Sequence, residues 1–111
     1  IIMTVNESKN IIQKLIKYSI CELETAECYQ ELMGCVEDSS MFSKFKEFAN
    51  QELTHYEYDL STAMVMAQKL KDNGDIADVD EMISNIYKDN ETDWKDKIVW
   101  KIANTKLKTS R

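Results

Sequence analysis

The sequence predicts an all-α protein, a long antiparallel helical hairpin followed by a third, C-terminal helix. The 111 residues include no proline and two glycines, and apolar residues recur every three or four positions over long stretches. Proline and glycine interrupt helices, so their near absence favours helices of many turns. A hydrophobic share of 43% argues against wholesale disorder, and the length fits one domain over residues 1–111.

The first two helices form the expected hairpin, over about residues 5–71. The first helix is expected to begin near Thr4, because Thr4 and Glu7 have the spacing of a capping box, and to continue to about Val36. Residues 37–40 are polar and predict the turn, with Ser40 available to cap the second helix. That helix is expected to reach Lys71 and to stop at the glycine-containing segment 72–74.

The third helix is predicted over about residues 79–106. It should start near Asp78, with Glu81 three residues later. The stretch 88–93 is entirely polar and is the place where this helix could break or kink.

Charge and cysteine content restrict the classes of partner. A net charge of −6 argues against nucleic acid, and the absence of a long apolar run argues against a membrane span. Cys21, Cys28 and Cys35 are seven residues apart, about 10 Å along a helix, which is too far for a disulfide within the chain. Unpaired thiols are typical of a reducing compartment, so we expect a cytoplasmic protein.

Two glutamates interrupt the apolar stripes of the hairpin. Glu22 lies inside the stripe of the first helix, and Glu52 lies inside that of the second, with His55 on its flank. A carboxylate on an apolar face is costly without a partner. Residues equidistant from the turn of an antiparallel hairpin lie side by side, and positions 22, 52 and 55 are nearly equidistant from residues 37–40. We therefore expect these three side chains to meet.

Two carboxylates and an imidazole inside a helical bundle suit iron, manganese or zinc. Glu52 and His55 form a Glu-x-x-His pair, whose spacing directs both side chains toward one ion. This short string is common by chance, so the prediction depends on its coincidence with Glu22. The alternatives are that Glu22 extends to solvent or bonds a neighbouring chain, and that His55 is a core histidine.

Further side chains are candidates for surrounding these ligands or adding to them. Glu27 lies near the edge of the first stripe, and Tyr56 and Asp59 lie on the second helix. Asp59 could equally form an interhelical ion pair. Tyr56 could simply be a packing residue with a polar tip.

The segment from Glu22 to Tyr29, followed by Glu52-Leu-Thr-His55, resembles the first two helices of the ferritin-like proteins, which include rubrerythrin. The resemblance covers about residues 9–70. It implies that Glu22, Glu52 and His55 bind metal and that Tyr29 lies near the site. The thirty-residue gap between the two glutamates is especially similar to the encapsulated ferritins, short chains that build a di-iron site across a dimer.

The chain departs from that pattern because His55 is its one histidine, whereas a complete ferritin-like chain has a second Glu and a second Glu-x-x-His. One chain therefore supplies half a site, and a homodimer or higher oligomer would complete a four-helix arrangement. Residues 102–111 do not resemble the docking peptide of the encapsulated ferritins, which argues against an encapsulating shell.

The resemblance thus implies a metal-binding protein with a di-iron carboxylate site across a dimer; if it is an enzyme, its reaction is the oxidation of Fe(II), with no catalytic residue beyond the ligands. The alternative is a non-catalytic helical interaction module that retains the hairpin. A zinc hydrolase is disfavoured, because the histidine that precedes the glutamate in His-Glu-x-x-His is absent.

Overall fold

The computed structural model describes residues 3–76, 78–89 and 92–109, which form four α-helices: α1 (Val5–Met33), α2 (Ser39–Asp72), α3 (Val79–Asp89) and α4 (Thr92–Asn104). No strand occurs in these ranges, so the predicted all-α class is confirmed for them. The same ranges contain no helix with both the length and the apolar character that a membrane crossing requires.

Capping interactions set both ends of α1. The predicted capping box is present: the Glu7 amide donates to Thr4 Oγ1 at 3.1 Å, and the Thr4 amide donates to Glu7 Oε1 at 3.2 Å. At the other end, the Gly34 amide donates to the Glu31 carbonyl at 3.1 Å. The helix therefore ends at Met33, three residues before the predicted Val36.

The second helix is capped by Asp38 rather than by Ser40. Asp38 Oδ1 accepts a hydrogen bond from the Met41 amide at 2.9 Å, so α2 begins at Ser39, one residue earlier than predicted. Its end matches the predicted stop to within one residue. Gly74 there has φ of 86°, a conformation that side chains with a Cβ rarely adopt.

The predicted third helix over about residues 79–106 is not confirmed as a single helix, and the polar stretch 88–93 is where the sequence allowed a break or kink. Two helices occupy this part of the chain, Val79–Asp89 and Thr92–Asn104, and residues 90 and 91 lie outside the described ranges. The polar stretch 88–93 supplies no apolar side chain to anchor a helix against the core, whereas Ile86 before it and Ile98 after it are buried.

Helices α1 and α2 run side by side, joined by residues 34–38, and one cluster of buried side chains includes members of all four helices. The described chain measures 62 × 29 × 14 Å. Packed helix axes lie about 8–10 Å apart, so a thickness of 14 Å holds two helix layers and not three. The buried residues are Ile12, Ile16, Ser19, Leu23, Ala26, Met33, Ala49, Leu53, Tyr56, Leu60, Ala63, Ala67, Leu70, Val79, Met82, Ile86, Ile98 and Ile102.

The C-terminal part of the chain is held on α1 by polar contacts. Lys101 Nζ donates to Glu27 Oε2 at 3.2 Å, and Gln30 Nε2 donates to Thr105 Oγ1 at 2.8 Å. The Lys108 amide donates to the Val36 carbonyl at 3.0 Å. These bonds fix α4 and the following residues near the loop end of the hairpin.

Candidate metal centre

The structure brings together Glu22 of α1 with Glu52 and His55 of α2. His55 Nδ1 lies 3.8 Å from Glu22 Oε2 and 3.7 Å from Glu52 Oε1. One ligand atom from each residue can be chosen so that all three lie within 4.8 Å of one another. Ligand atoms of one ion are separated by such distances, because each lies about 2.0–2.2 Å from the metal.

The three side chains differ in their exposure to solvent. Glu22 is 14% exposed and Glu52 is 24% exposed, whereas His55 is 61% exposed. The two carboxylates of the cluster thus lie between the helices, and the imidazole lies at its solvent side. This exposure excludes the alternative of a core histidine for His55, and the burial of Glu22 argues against its extension to solvent.

Glu22 is poorly accommodated as a bare anion. Burial, followed by a hydrogen bond with the Asp59 carboxyl and the charges of Asp59 and Glu52, raises the pKa of Glu22 from 4.5 to about 8. In addition, Glu22 Oε1 is buried and has no hydrogen-bond partner in the described part of the chain. A buried oxygen without a hydrogen-bond partner is uncommon in folded proteins.

The cluster has no cationic side chain to balance it. Among the residues that the structure describes, no lysine or arginine forms an ion pair with Glu22, Glu52 or Asp59. Two carboxylates and an imidazole are ligands that divalent transition metals accept, so the residues present fit such an ion. The lysine pairs in the described ranges are Lys9–Asp78, Lys44–Glu47, Lys71–Asp80, Lys95–Glu57 and Lys101–Glu27.

Tyr29 and Glu27, both candidates for the surroundings of the site, have partners elsewhere on the hairpin. The Tyr29 ring lies 5.4 Å from the Phe48 ring and 6.3 Å from the Phe45 ring, in an aromatic cluster on the loop side of Glu52. Glu27 contacts Lys101 of α4.

The two candidates on α2 differ in their placement. Tyr56 is buried, and burial together with the charges of Glu57 and Asp96 raises the pKa of its phenol. Asp59 is half-buried and is among the causes of the raised pKa of Glu22, but in the described part of the chain it does not belong to the group of side chains close enough to share an ion. Sequence reasoning left Asp59 between an outer ligand and an ion pair. The signal that favours the site is its seven-residue spacing from Glu52, two helical turns along the same face.

The three cysteines lie outside this cluster. Cys21 and Cys28 on α1 and Cys35 just after it are exposed free thiols. Within the described residues, the group of metal-binding side chains that are close enough to share an ion consists of Glu22, Glu52 and His55.

No family model matches the chain, and the comparisons with curated proteins and with solved structures find no match. The resemblance to ferritin-like proteins is therefore carried by the residues and their spacing. The geometry of the cluster is independent of that resemblance.

Proposed function

We propose that this protein is a ferritin-like metal-binding protein that holds iron through Glu22, Glu52 and His55, in a di-iron carboxylate site formed across a homodimer. The observation that carries the proposal is the approach of these three side chains to within 4.8 Å, with Glu22 Oε1 buried and without a partner in the described residues. Manganese and zinc accept the same donor set and are the competing ions.

Three features support a second copy over the cluster. One chain supplies two carboxylates and one imidazole, which leaves coordination positions for ligands from outside the chain. His55 is mostly exposed, at the solvent side of the cluster. Tyr29, Phe45 and Phe48 are half-buried and lie within two turns of the ligands on the same helix faces, where a symmetric partner would bury them further.

A di-iron site of this kind would support the oxidation of Fe(II) by oxygen or peroxide. Glu22, at the buried end, would anchor the ion and keep water from that side. Glu52 and His55, one helical turn apart, would fix its position relative to α2. Three free thiols, all exposed, favour a reducing compartment such as the cytoplasm for this activity.

The test is metal analysis after loading with Fe(II), combined with sedimentation of the loaded and the chelator-treated protein. We expect bound iron and metal-dependent dimers for the wild type, and the loss of both in Glu52→Ala. The control is Glu47→Ala, which removes an exposed carboxylate of the same helix, five residues away.

Two results would overturn the proposal. A wild-type protein that binds no metal would refute it directly. An oligomer that is metal-free and unaffected by chelator would favour the competing function, a non-catalytic helical interaction module.

A further inference from the structure

An exposed side of α1 carries a row of uncharged side chains at alternating spacings of three and four residues. Such spacings keep side chains on one line of a helix, in the pattern of a coiled-coil seam. Tyr18 is 52% exposed and Leu32 is 42% exposed, and the members of the row between them are exposed as well. This row, the outer seam, consists of Tyr18, Cys21, Thr25, Cys28 and Leu32.

The side chains of the outer seam can leave water at little cost. The Thr25 hydroxyl donates to the Cys21 carbonyl at 2.8 Å, so its donor stays satisfied when the methyl group is buried. Cys21 and Cys28 are free thiols, which behave as small hydrophobic side chains. Tyr18 combines an apolar ring with a polar tip, as interface residues often do. In a chain with 31% charged residues, such a row indicates a contact surface.

The charges beside the outer seam identify a second copy of this chain as its partner. Lys17, Glu24 and Glu31 follow one another at seven-residue spacings, so they form one row along the seam. All three are exposed, and none forms an ion pair in the part of the chain that the structure describes. This row is basic toward the start of α1 and acidic toward its end. An antiparallel copy therefore places Lys17 against the partner's Glu31, twice by symmetry, whereas a parallel copy places like charges together.

We propose that the outer seam of α1 binds the outer seam of a second copy in antiparallel orientation, at an interface that contains none of the proposed metal ligands. The two-fold axis lies near Glu24, which faces its own copy and forms the one unfavourable pair. In this register Cys21 shares a layer with the partner's Thr25. Antiparallel packing thus keeps the native thiols out of each other's layers, whereas parallel packing would set each thiol against its own copy. The association needs no metal and increases with protein concentration.

The experiment measures disulfide formation between copies by non-reducing electrophoresis, in chelator and at high protein concentration. The oxidant is diamide, which takes up the two hydrogens of a thiol pair. A disulfide forms only where two thiols lie within reach, so it reports the register. The parent protein carries Cys28→Ser, which leaves Cys21 as the native thiol of the seam. Thr25→Cys then adds a thiol to the layer of the partner's Cys21. The matched control is Gln51→Cys, at an exposed position of α2.

We expect Thr25→Cys to form disulfide-linked dimers about tenfold faster than the parent or Gln51→Cys, because the interface raises the effective concentration of the thiol pair. Peptide mapping should find Cys21 joined to the added cysteine. Adding Lys17→Glu should slow the linkage by about tenfold, since two attractive pairs become repulsive. Adding Glu31→Lys as well should restore the rate, because the exchanged charges form the same pairs.

Three results would overturn the proposal. The first is a Thr25→Cys variant that links no faster than Gln51→Cys. The second is rapid linkage of the parent through Cys21 to its own copy, which would indicate parallel pairing. The third is a double charge exchange that does not recover the rate lost in Lys17→Glu, which would place another partner on the seam. The metal-dependent dimer is judged separately, since chelator is present throughout and its proposed ligands are unchanged.

Discussion

Replacing Glu22 by glutamine should stabilise the metal-free protein at neutral and alkaline pH while removing its stabilisation by metal. The folded-state pKa of Glu22, about 8, lies above the ordinary value of 4.5, so the folded chain binds a proton that the unfolded chain releases between these values. The stability contributed by that proton is fully present below about pH 4.5 and is lost as the pH rises through 8.

A shift of one pKa unit corresponds to about 1.4 kcal/mol of free energy. At pH 7 the free energy of unfolding of the wild type is therefore lower by roughly 3 kcal/mol than that of a chain in which position 22 stays neutral. Most of this loss, roughly 2 kcal/mol, occurs between about pH 5 and pH 7. Glutamine has nearly the same shape and carries no charge, but its buried amide also needs partners. We therefore expect Glu22→Gln to exceed the wild type by about 2 kcal/mol in free energy of unfolding at pH 7.

The assay is urea denaturation at several pH values in the presence of chelator, followed by the same series with saturating Zn²⁺ or Mn²⁺. Metal at a hundred times its dissociation constant should add about 2.7 kcal/mol to the wild type and little to the variant, so the order of stability reverses. Glu27→Gln is the control on the same helix. It removes a partly exposed pair with Lys101, so it should cost about 1 kcal/mol or less and leave the pH dependence unchanged. A metal-free Glu22→Gln protein that is less stable than the wild type at pH 7, with the same pH dependence, would refute the reasoning.

Three further pairs of substitutions test the fold that holds the site. Leu23→Ala should cost about 2–5 kcal/mol in urea denaturation because Leu23 is fully buried, whereas Leu32→Ala, at a position 42% exposed, should cost about 1 kcal/mol or less; equal costs would contradict the packing. Asp38→Ala should lower the unfolding free energy by about 1 kcal/mol through loss of the α2 cap, and Asp38→Asn should recover most of it; no recovery would argue against capping. Gly74→Ala should cost about 1 kcal/mol or more because φ is 86°, whereas Gly34→Ala should be nearly neutral, since φ is −75° and the added Cβ meets its nearest atoms at 3.5 Å. A thermal melt in which both glycine variants behave alike would contradict the assigned backbone conformations.

The helices of the hairpin could be located from local signals because those signals act over a few residues. The capping box of Thr4 and Glu7 and the glycine stop at Gly74 appear in the structure where the sequence predicted them. The cap of α2 is Asp38, two residues before the predicted Ser40. Both residue types are good caps, so backbone geometry decides which of them caps the helix. The division of the third segment was visible as a polar stretch, but propensity alone did not decide between a kink and two helices.

The convergence of Glu22, Glu52 and His55 could also be predicted, because an antiparallel hairpin pairs residues that are equidistant from its turn. The raised pKa of Glu22 could not, because it depends on how closely the two helices pack around this carboxyl and on its distances from Asp59 and Glu52. The pairing of Glu27 with Lys101 could not be predicted for a related reason. Lys101 is seventy-four residues away, and its approach depends on the return of α4 to α1.

The sequence by itself determined the helical class, the hairpin and the height at which a carboxylate and a Glu-x-x-His pair meet, because these follow from helical periodicity and from the position of one turn. Only the tertiary structure decided which carboxylate is desolvated, which oxygen lacks a partner and which side of the cluster is open. Those properties depend on distances between side chains that are far apart in sequence, and on the absence of any cation at the described interface. The cluster is open on the side of His55, whose side chain is 61% exposed.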